Sequence, residues 1–165
     1  MNREVWDLLD ENRQPLGRTH FRGDELEPHT FHTVIEVFTF DPDGRLLLSK
    51  RHPDKTYPLL WEGTGGSILA GETSRQGAVR ELKEELGLYV LPEQLRFVTT
   101  IERGTYFLDM YCLVCEKPID LEQLLLQVDE VVDVTLQEWE TVLECVELVP
   151  SVRERLIQYG HLIRP

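Results

Sequence analysis

Cysteine, methionine and long apolar runs are all scarce in this 165-residue chain, and its cations are far outnumbered by its anions. The three cysteines, Cys112, Cys115 and Cys145, are an odd set with no disulfide spacing, which excludes a disulfide framework and fits reduced thiols. Cys112 and Cys115 are spaced C-x-x-C, but in the alternating run from Thr105 to Cys115 an odd offset sends them to opposite faces. They are read as packing or surface residues rather than a metal or redox pair. No stretch approaches the ~18 apolar residues a membrane span needs, and no basic segment precedes an apolar run at the N-terminus. The expectation is a cytoplasmic protein with no membrane partner. With 17 Lys and Arg against 30 Asp and Glu, the net charge of −13 excludes a long nucleic acid partner, because phosphate-backbone affinity comes from neutralising cations. A small polyphosphate is different, since it arrives with a divalent cation that cancels much of the repulsion. There is no repeat and no low-complexity tract, and the length suits one domain over residues 1–165 with one sizeable core.

What the chain does have is a run dense in carboxylates: Gly66-Ser-Ile-Leu-Ala-Gly-Glu72-Thr-Ser-Arg-Gln-Gly-Ala-Val-Arg80-Glu81-Leu82-Lys-Glu84-Glu85-Leu-Gly87-Leu88. Thr73 with Gln76 three residues later forms a capping box, and Gly87 stands where a helix end wants a left-handed residue, which predicts a helix from about Ser74 to Leu86. Ala78, Leu82 and Leu86 at four-residue steps, widened by Val79, give it an apolar face. Glu81, Glu84 and Glu85 fall at i, i+3 and i+4, so three like charges share one turn and repel. A hard divalent cation reverses that argument, because Mg2+ takes oxygen ligands from carboxylates, waters and phosphates. Arg80 can reach Glu84 at i+4 or fold back toward Glu72, fixing carboxylate rotamers in advance.

The order Gly66, Glu72, then Arg80-Glu-Leu-Lys-Glu-Glu-Leu-Gly-Leu88 resembles the Nudix box with every prescribed position filled. Outside it, Val5-Trp-Asp-Leu-Leu-Asp10, His29 to His32, Leu46-Leu-Leu-Ser-Lys-Arg51 and Trp61-Glu-Gly-Thr-Gly65 are similar to Nudix proteins related to isopentenyl diphosphate isomerase, over about residues 1–140. The resemblance implies an α/β fold, an α/β/α sandwich around a central mixed sheet, and a Mg2+ or Mn2+ dependent hydrolase. Its substrate would be a nucleoside diphosphate linked to another moiety, cleaved at the pyrophosphate bond, or a related small phosphorylated metabolite. By position, Glu81, Glu84 and Glu85 would be metal ligands, Glu72 and Arg80 would support them, and the backbone of Gly65 and Gly66 would help hold metal or phosphate. The isomerases place a catalytic cysteine just after the tryptophan segment, where this chain reads Thr64-Gly-Gly-Ser67. That departure, with the intact box, favours hydrolysis over isomerisation, and the intact carboxylates count against a silent binding domain.

Beyond the box, family members commonly recruit one more acidic residue from a later strand or loop, and here Glu130 is the first choice and Asp129 the second, with Glu85 the other candidate base. Lys50, Arg51 and Lys55 lie between a predicted hairpin and the glycine segment and could face phosphates as charge-assisted donors. Trp61 and Tyr106 are read as packing residues, His32 and His52 as satisfied polar side chains. Predicted strands are Val5 to Asp10, Thr33 to Phe40 hairpinned through Asp41–Gly44 to Arg45–Lys50, Leu95 to Ile101, Thr105 to Cys115 and Val131 to Thr135, with a turn-rich Glu11 to Gly17. Two short helices are predicted near the end, capped by Thr135 with Glu138 and by Ser151 with Glu154. A second copy of the chain as partner in a homodimer is left open.

Overall fold

The computed structural model describes residues 3–165. Its strands are β1 (Val5–Leu9), β2 (Pro15–Phe21), β3 (His32–Phe40), β4 (Leu46–Arg51), β5 (Trp61–Glu62), β6 (Thr64–Ser67), β7 (Leu95–Arg103), β8 (Tyr106–Val114) and β9 (Val131–Gln137). Its helices are α1 (Ser74–Leu86), α2 (Trp139–Val142) and α3 (Pro150–Ile163). The main sheet is mixed: β3 and β8 run parallel at its centre, from His32 beside Tyr106 to Phe40 beside Val114, while β7 and β8 form an antiparallel hairpin.

Alternation along β3 sorts its side chains between two layers. Ile35 and Val37 pack with Tyr111 and Leu113 against Ala78 and Leu82 of α1. Phe38 and Phe40 pack with Met110 and Cys112 against Val152, Leu156 and Ile163 of α3. The result is a helix on each face of a central mixed sheet, the α/β/α arrangement expected. Cys112 lies in the α3-side core and Cys115 packs against the α1-side core, so the C-x-x-C spacing carries the two thiols to opposite faces.

The Asp41–Gly44 turn forms, with Asp41 accepting from the amides of Asp43 and Arg45, but the hairpin it starts is short. β3 and β4 pair only at Thr39 with Leu47 and Phe40 with Leu46. They then splay, and the glycine segment enters the seam: β5 pairs with β4, while β6 pairs with β3 from Val34 beside Ser67 to Val37 beside Thr64. The other edge of β4 is taken by β9.

Several sequence expectations are corrected. The segment after the first strand turns at Asp10–Gln14 and returns as β2, which pairs with β1 in a separate two-stranded sheet. Thr135 caps nothing, because β9 keeps pairing with β4 as far as Gln137 beside Leu46. Ser151 lies inside α3, whose N-cap is Val149 with Pro150 in the first turn, a position proline favours because its missing N–H would be unpaired anyway. α3 is also 14 residues long rather than short. His32 is not a satisfied polar residue: it is buried, its Nδ1 has no hydrogen-bond partner, and its ring stacks on Trp6 at 4.1 Å. No helix among the described residues is long and apolar enough to cross a membrane.

Candidate active site

α1 begins and ends where its sequence says. The Thr73 side chain accepts from the Gln76 amide while the Gln76 side chain accepts from the Thr73 amide, and Gly87 closes the helix at φ 67°. With the apolar stripe committed to the core, Glu81, Glu84 and Glu85 turn toward a cavity of about 380 Å³. Glu81 and Glu85 are buried and Glu84 is exposed.

Arg80 is the hub of the preceding loop. Its Nε donates to Glu72 Oε1 at 2.8 Å, its Nη1 to Glu81 Oε1 at 2.7 Å and Glu84 Oε2 at 3.1 Å, and its Nη2 to the Ser67 carbonyl at 3.0 Å. Glu72 also accepts from the Leu69 amide at 3.0 Å. Burial opposes ionisation of Glu72, but the hydrogen bonds from Arg80 and Leu69 outweigh it and hold its carboxyl below the usual range. The reverse holds on the helix. Burial pushes Glu81 up to about 7 against the pull of Arg80, and burial raises Glu85 well above the ordinary carboxylate value, with Glu81, Glu62 and Glu130 adding repulsion.

Gly66 explains part of that crowding. A Cβ at this position would fall 2.1 Å from Glu81 Oε1, so only glycine lets the strand approach the carboxylate. Gly65 and Gly66 both line the cavity.

The connection between β8 and β9 docks on the end of α1, where the Leu125 amide donates to the Leu86 carbonyl and the Gln127 amide to the Glu85 carbonyl, both at 3.1 Å. This satisfies helix-end carbonyls and brings Glu130 to the cavity, where it pairs with Lys55. Asp129 is exposed and lies outside the cavity lining. Arg51 lines the cavity, with its Nη1 2.6 Å from Glu62 Oε1 and its Nε donating to the Thr56 carbonyl at 2.6 Å. Lys50 does not face it: its ammonium lies over the Trp61 ring, 5.2 Å from the centroid, and the expected phosphate contact is corrected on that geometry. The period-2 alternation of β4 is the reason, since adjacent residues take opposite faces.

Sequence reasoning missed five further charged residues of the lining, Glu4, Arg22, Glu36, Glu62 and Arg155. Glu4 and Arg22 arrive with the unforeseen β1–β2 sheet. For Glu36 and Arg155 a signal existed: Glu36 interrupts an apolar strand, and Arg155 stands among the core-facing residues of α3.

Every cation on the lining has a carboxylate partner: Arg22 with Glu4, Arg51 with Glu62, Lys55 with Glu130 and Arg155 with Glu36. The lining carboxylates with no partner among the lining cations are those of the box helix, Glu81, Glu84 and Glu85, of which the first two share Arg80 from outside the lining. Among the described residues no three acidic, histidine or cysteine side chains converge as a ready-made metal cage. The donor chemistry still fits a hard divalent cation, since buried oxygen donors that resist ionisation alone are stabilised as carboxylates by an ion of opposite charge.

Comparison with known proteins bears on the family and the fold. A family model described as NUDIX domain matches residues 30–158. An uncharacterised Nudix hydrolase of Listeria monocytogenes is 41% identical over 154 residues, covering 89% of each chain. An isopentenyl-diphosphate Delta-isomerase of Streptomyces griseus is 37% identical over 84 residues, half of this chain and 43% of the isomerase. Among solved structures, DR0079 of Deinococcus radiodurans superimposes with a TM-score of 0.76 at 19% identity, over 94% of this chain and 99% of that one, a likeness of fold. With the family matched over most of its length and the box carboxylates gathered on one cavity, the chain belongs to the Nudix family and is a hydrolase of phosphorus-containing acid anhydrides.

Proposed function

We propose that the protein, acting as one domain, cleaves the pyrophosphate bond of a nucleoside diphosphate linked to another moiety, with Mg2+ or Mn2+ held by Glu81, Glu84 and Glu85. The observation that carries this reading is the crowding of carboxylates on α1: the lining's cations are matched elsewhere, the single guanidinium of Arg80 is shared by Glu72, Glu81 and Glu84, and burial pushes Glu81 and Glu85 toward the neutral form. When bound, the ion lowers the pKa of a water and neutralises phosphate charge.

The chain's own residues do the rest. Arg80 and Glu72 hold the carboxylates in place before substrate arrives, which limits reorganisation during reaction. Arg51 and Lys55 donate to phosphate oxygens, and the Gly65–Gly66 backbone gives the anion close approach to α1. Water oxygen attacks one phosphorus, the bridging P–O bond breaks, and the water proton passes to Glu130 or Glu85, leaving two phosphorylated products.

The test is product release from nucleotide sugars, dinucleoside polyphosphates, nucleoside triphosphates and isopentenyl diphosphate with each ion, run in 18O-labelled water. Cleavage with one labelled product is expected, and no double-bond migration in isopentenyl diphosphate. Cys112, Cys115 and Cys145 are all off the cavity lining, so no thiol is placed to move a proton between carbons. Dimethylallyl diphosphate formation without any anhydride cleavage would overturn the proposal.

A further inference from the structure

One of the cavity's ion pairs is unlike the other three. Arg155 and Glu36 are only 7% and 5% exposed, and they join α3 to β3 across 119 residues. A buried ion pair is a weak source of stability, and apolar residues of similar volume often serve a core as well or better. The pair lies between the apolar α3-side core and the cavity, with Tyr106 and Glu62 close enough to favour the charged guanidinium, so packing alone does not account for it.

Its position does. The cavity passes from the box helix, beside Gly65 and Gly66, to the α3 face of the sheet, where Val34, Tyr106, Leu108 and Val152 supply its walls. Glu36 stands on that same face of β3, two residues from Val34 and from Phe38. Arg155 uses Nε and Nη2 on the Glu36 carboxylate, the latter at 2.8 Å, so Nη1 enters neither bond although the residue lines the cavity.

The charges decide what this end can take. A second anion would meet the Glu36 carboxylate as well as the guanidinium, so the pair offers it little net attraction. An apolar tail would cover an N–H donor without pairing it, which is unfavourable. A flat, uncharged ring carrying a hydrogen-bond acceptor satisfies both the donor and the apolar walls.

We propose that Arg155, oriented by Glu36, is a specificity-determining residue that donates Nη1 to a ring nitrogen or carbonyl of the substrate's nucleobase. This rests on the nucleoside diphosphate reading above and deepens it. Glu36 is the positioning residue, and the walls beside Tyr106 receive the faces of the base.

The test compares wild type with the double variant Glu36→Gln/Arg155→Met, which removes both charges together and leaves neither buried alone. Steady-state kinetics are measured on UDP-glucose, ADP-ribose, GDP-mannose and CTP, and on 5-phosphoribosyl 1-diphosphate, which has a pyrophosphate and a ribose but no base. The ratio of kcat/KM for the best nucleotide to that for the base-free compound should fall at least tenfold, mainly through KM. Arg155→Lys, which keeps the charge pair but loses the planar fork, should move the ratio the same way by less. An unchanged ratio in both variants overturns the proposal. Wild-type cleavage of the base-free compound alone also overturns it, while leaving the hydrolase reading intact. If wild type cleaves no member of the set, the wider panel above decides the nucleoside diphosphate reading, and calorimetry with CMP, UMP, AMP and GMP decides this proposal. Binding by wild type that the double variant loses supports it, and binding of none overturns it.

Discussion

Replacing Glu81 by glutamine should make the protein more stable and nearly inactive, and the stability gain should depend on pH. Glu81 is 9% exposed, and its carboxyl is pushed by burial from an ordinary 4.5 up to about 7. Between those values the folded state holds a proton that the unfolded chain has released, so wild-type stability falls as pH rises from 4.5 to 7 and is flat above. At roughly 1.36 kcal/mol per pK unit, ionising Glu81 in the fold costs about 3 kcal/mol at pH 8. Glutamine keeps the shape and an acceptor for Arg80 Nη1 but carries no charge. In metal-free buffer Glu81→Gln should therefore unfold about 6–12 °C higher than wild type at pH 8, taking roughly 2–4 °C per kcal/mol for a chain of this size, with the gap closing toward pH 5. Turnover should fall about 10²-fold or more, a loss of at least ~2.7 kcal/mol of barrier reduction. Mg2+ should raise the melting temperature of wild type and leave the variant where it was. Calorimetric scans across pH with a chelator present, followed by Mg2+ addition, measure all of this. A variant less stable than wild type at pH 8, or a gap that does not change with pH, would refute the reasoning.

Gly66→Ala places a methyl group 2.1 Å from Glu81 Oε1; the carboxylate must swing away, so kcat should drop at least about tenfold, with a melting temperature within a few degrees of wild type. Glu130→Gln should depress kcat more than it raises KM, because proton transfer matters in the transition state, whereas Asp129→Asn, at an exposed position off the cavity, should be close to silent; the opposite pattern would move the role by one residue. His32, whose pKa burial lowers from 6.5 to about 4, stays neutral in the fold while the unfolded chain takes up a proton, so stability is full above pH 6.5 and is lost as pH falls toward 4. His32→Phe keeps a ring against Trp6 and should shift the acid-unfolding midpoint downward, read by fluorescence between pH 7 and 4.

The parts legible in the sequence are those whose signals are local. The limits of α1 follow from a capping box and a left-handed glycine separated by 13 helical residues, and both hold in the structure. The same local logic fails at Thr135 and Glu138: Thr135 lies in a strand that a distant partner, β4, keeps extended, and Glu138 is itself the N-cap of α2. β2 escapes notice because it is exposed over most of its length and shows little alternation of apolar residues. In the candidate site, the carboxylates of α1 are written within one helical turn and could be named in advance. Which cations face them could not: Lys50 and Arg51 are neighbours, and only the pairing of β4 decides that Arg51 lines the cavity while Lys50 covers Trp61. Arg155 and Glu36 lie further still from local reading, since their meeting depends on α3 closing over a strand that appears 119 residues earlier.

That separation sets a clock on the ribosome. At roughly 5–20 residues per second, about 6–24 s pass between synthesis of Glu36 and synthesis of Arg155. During that interval the β3 carboxylate has no cation, and Phe38, Phe40, Leu46 and Leu48 lack the cover that Val152, Leu156 and Ile163 later give them. The α1 face waits less, since Ile35, Val37, Ala78 and Leu82 are made within the first half of the chain and their partners Tyr111 and Leu113 well before α3. The nascent protein thus carries the carboxylates of α1 on a half-covered sheet before α3 closes the cavity's other wall, and a chain arrested ahead of Pro150 presents sticky apolar surface to any chaperone nearby.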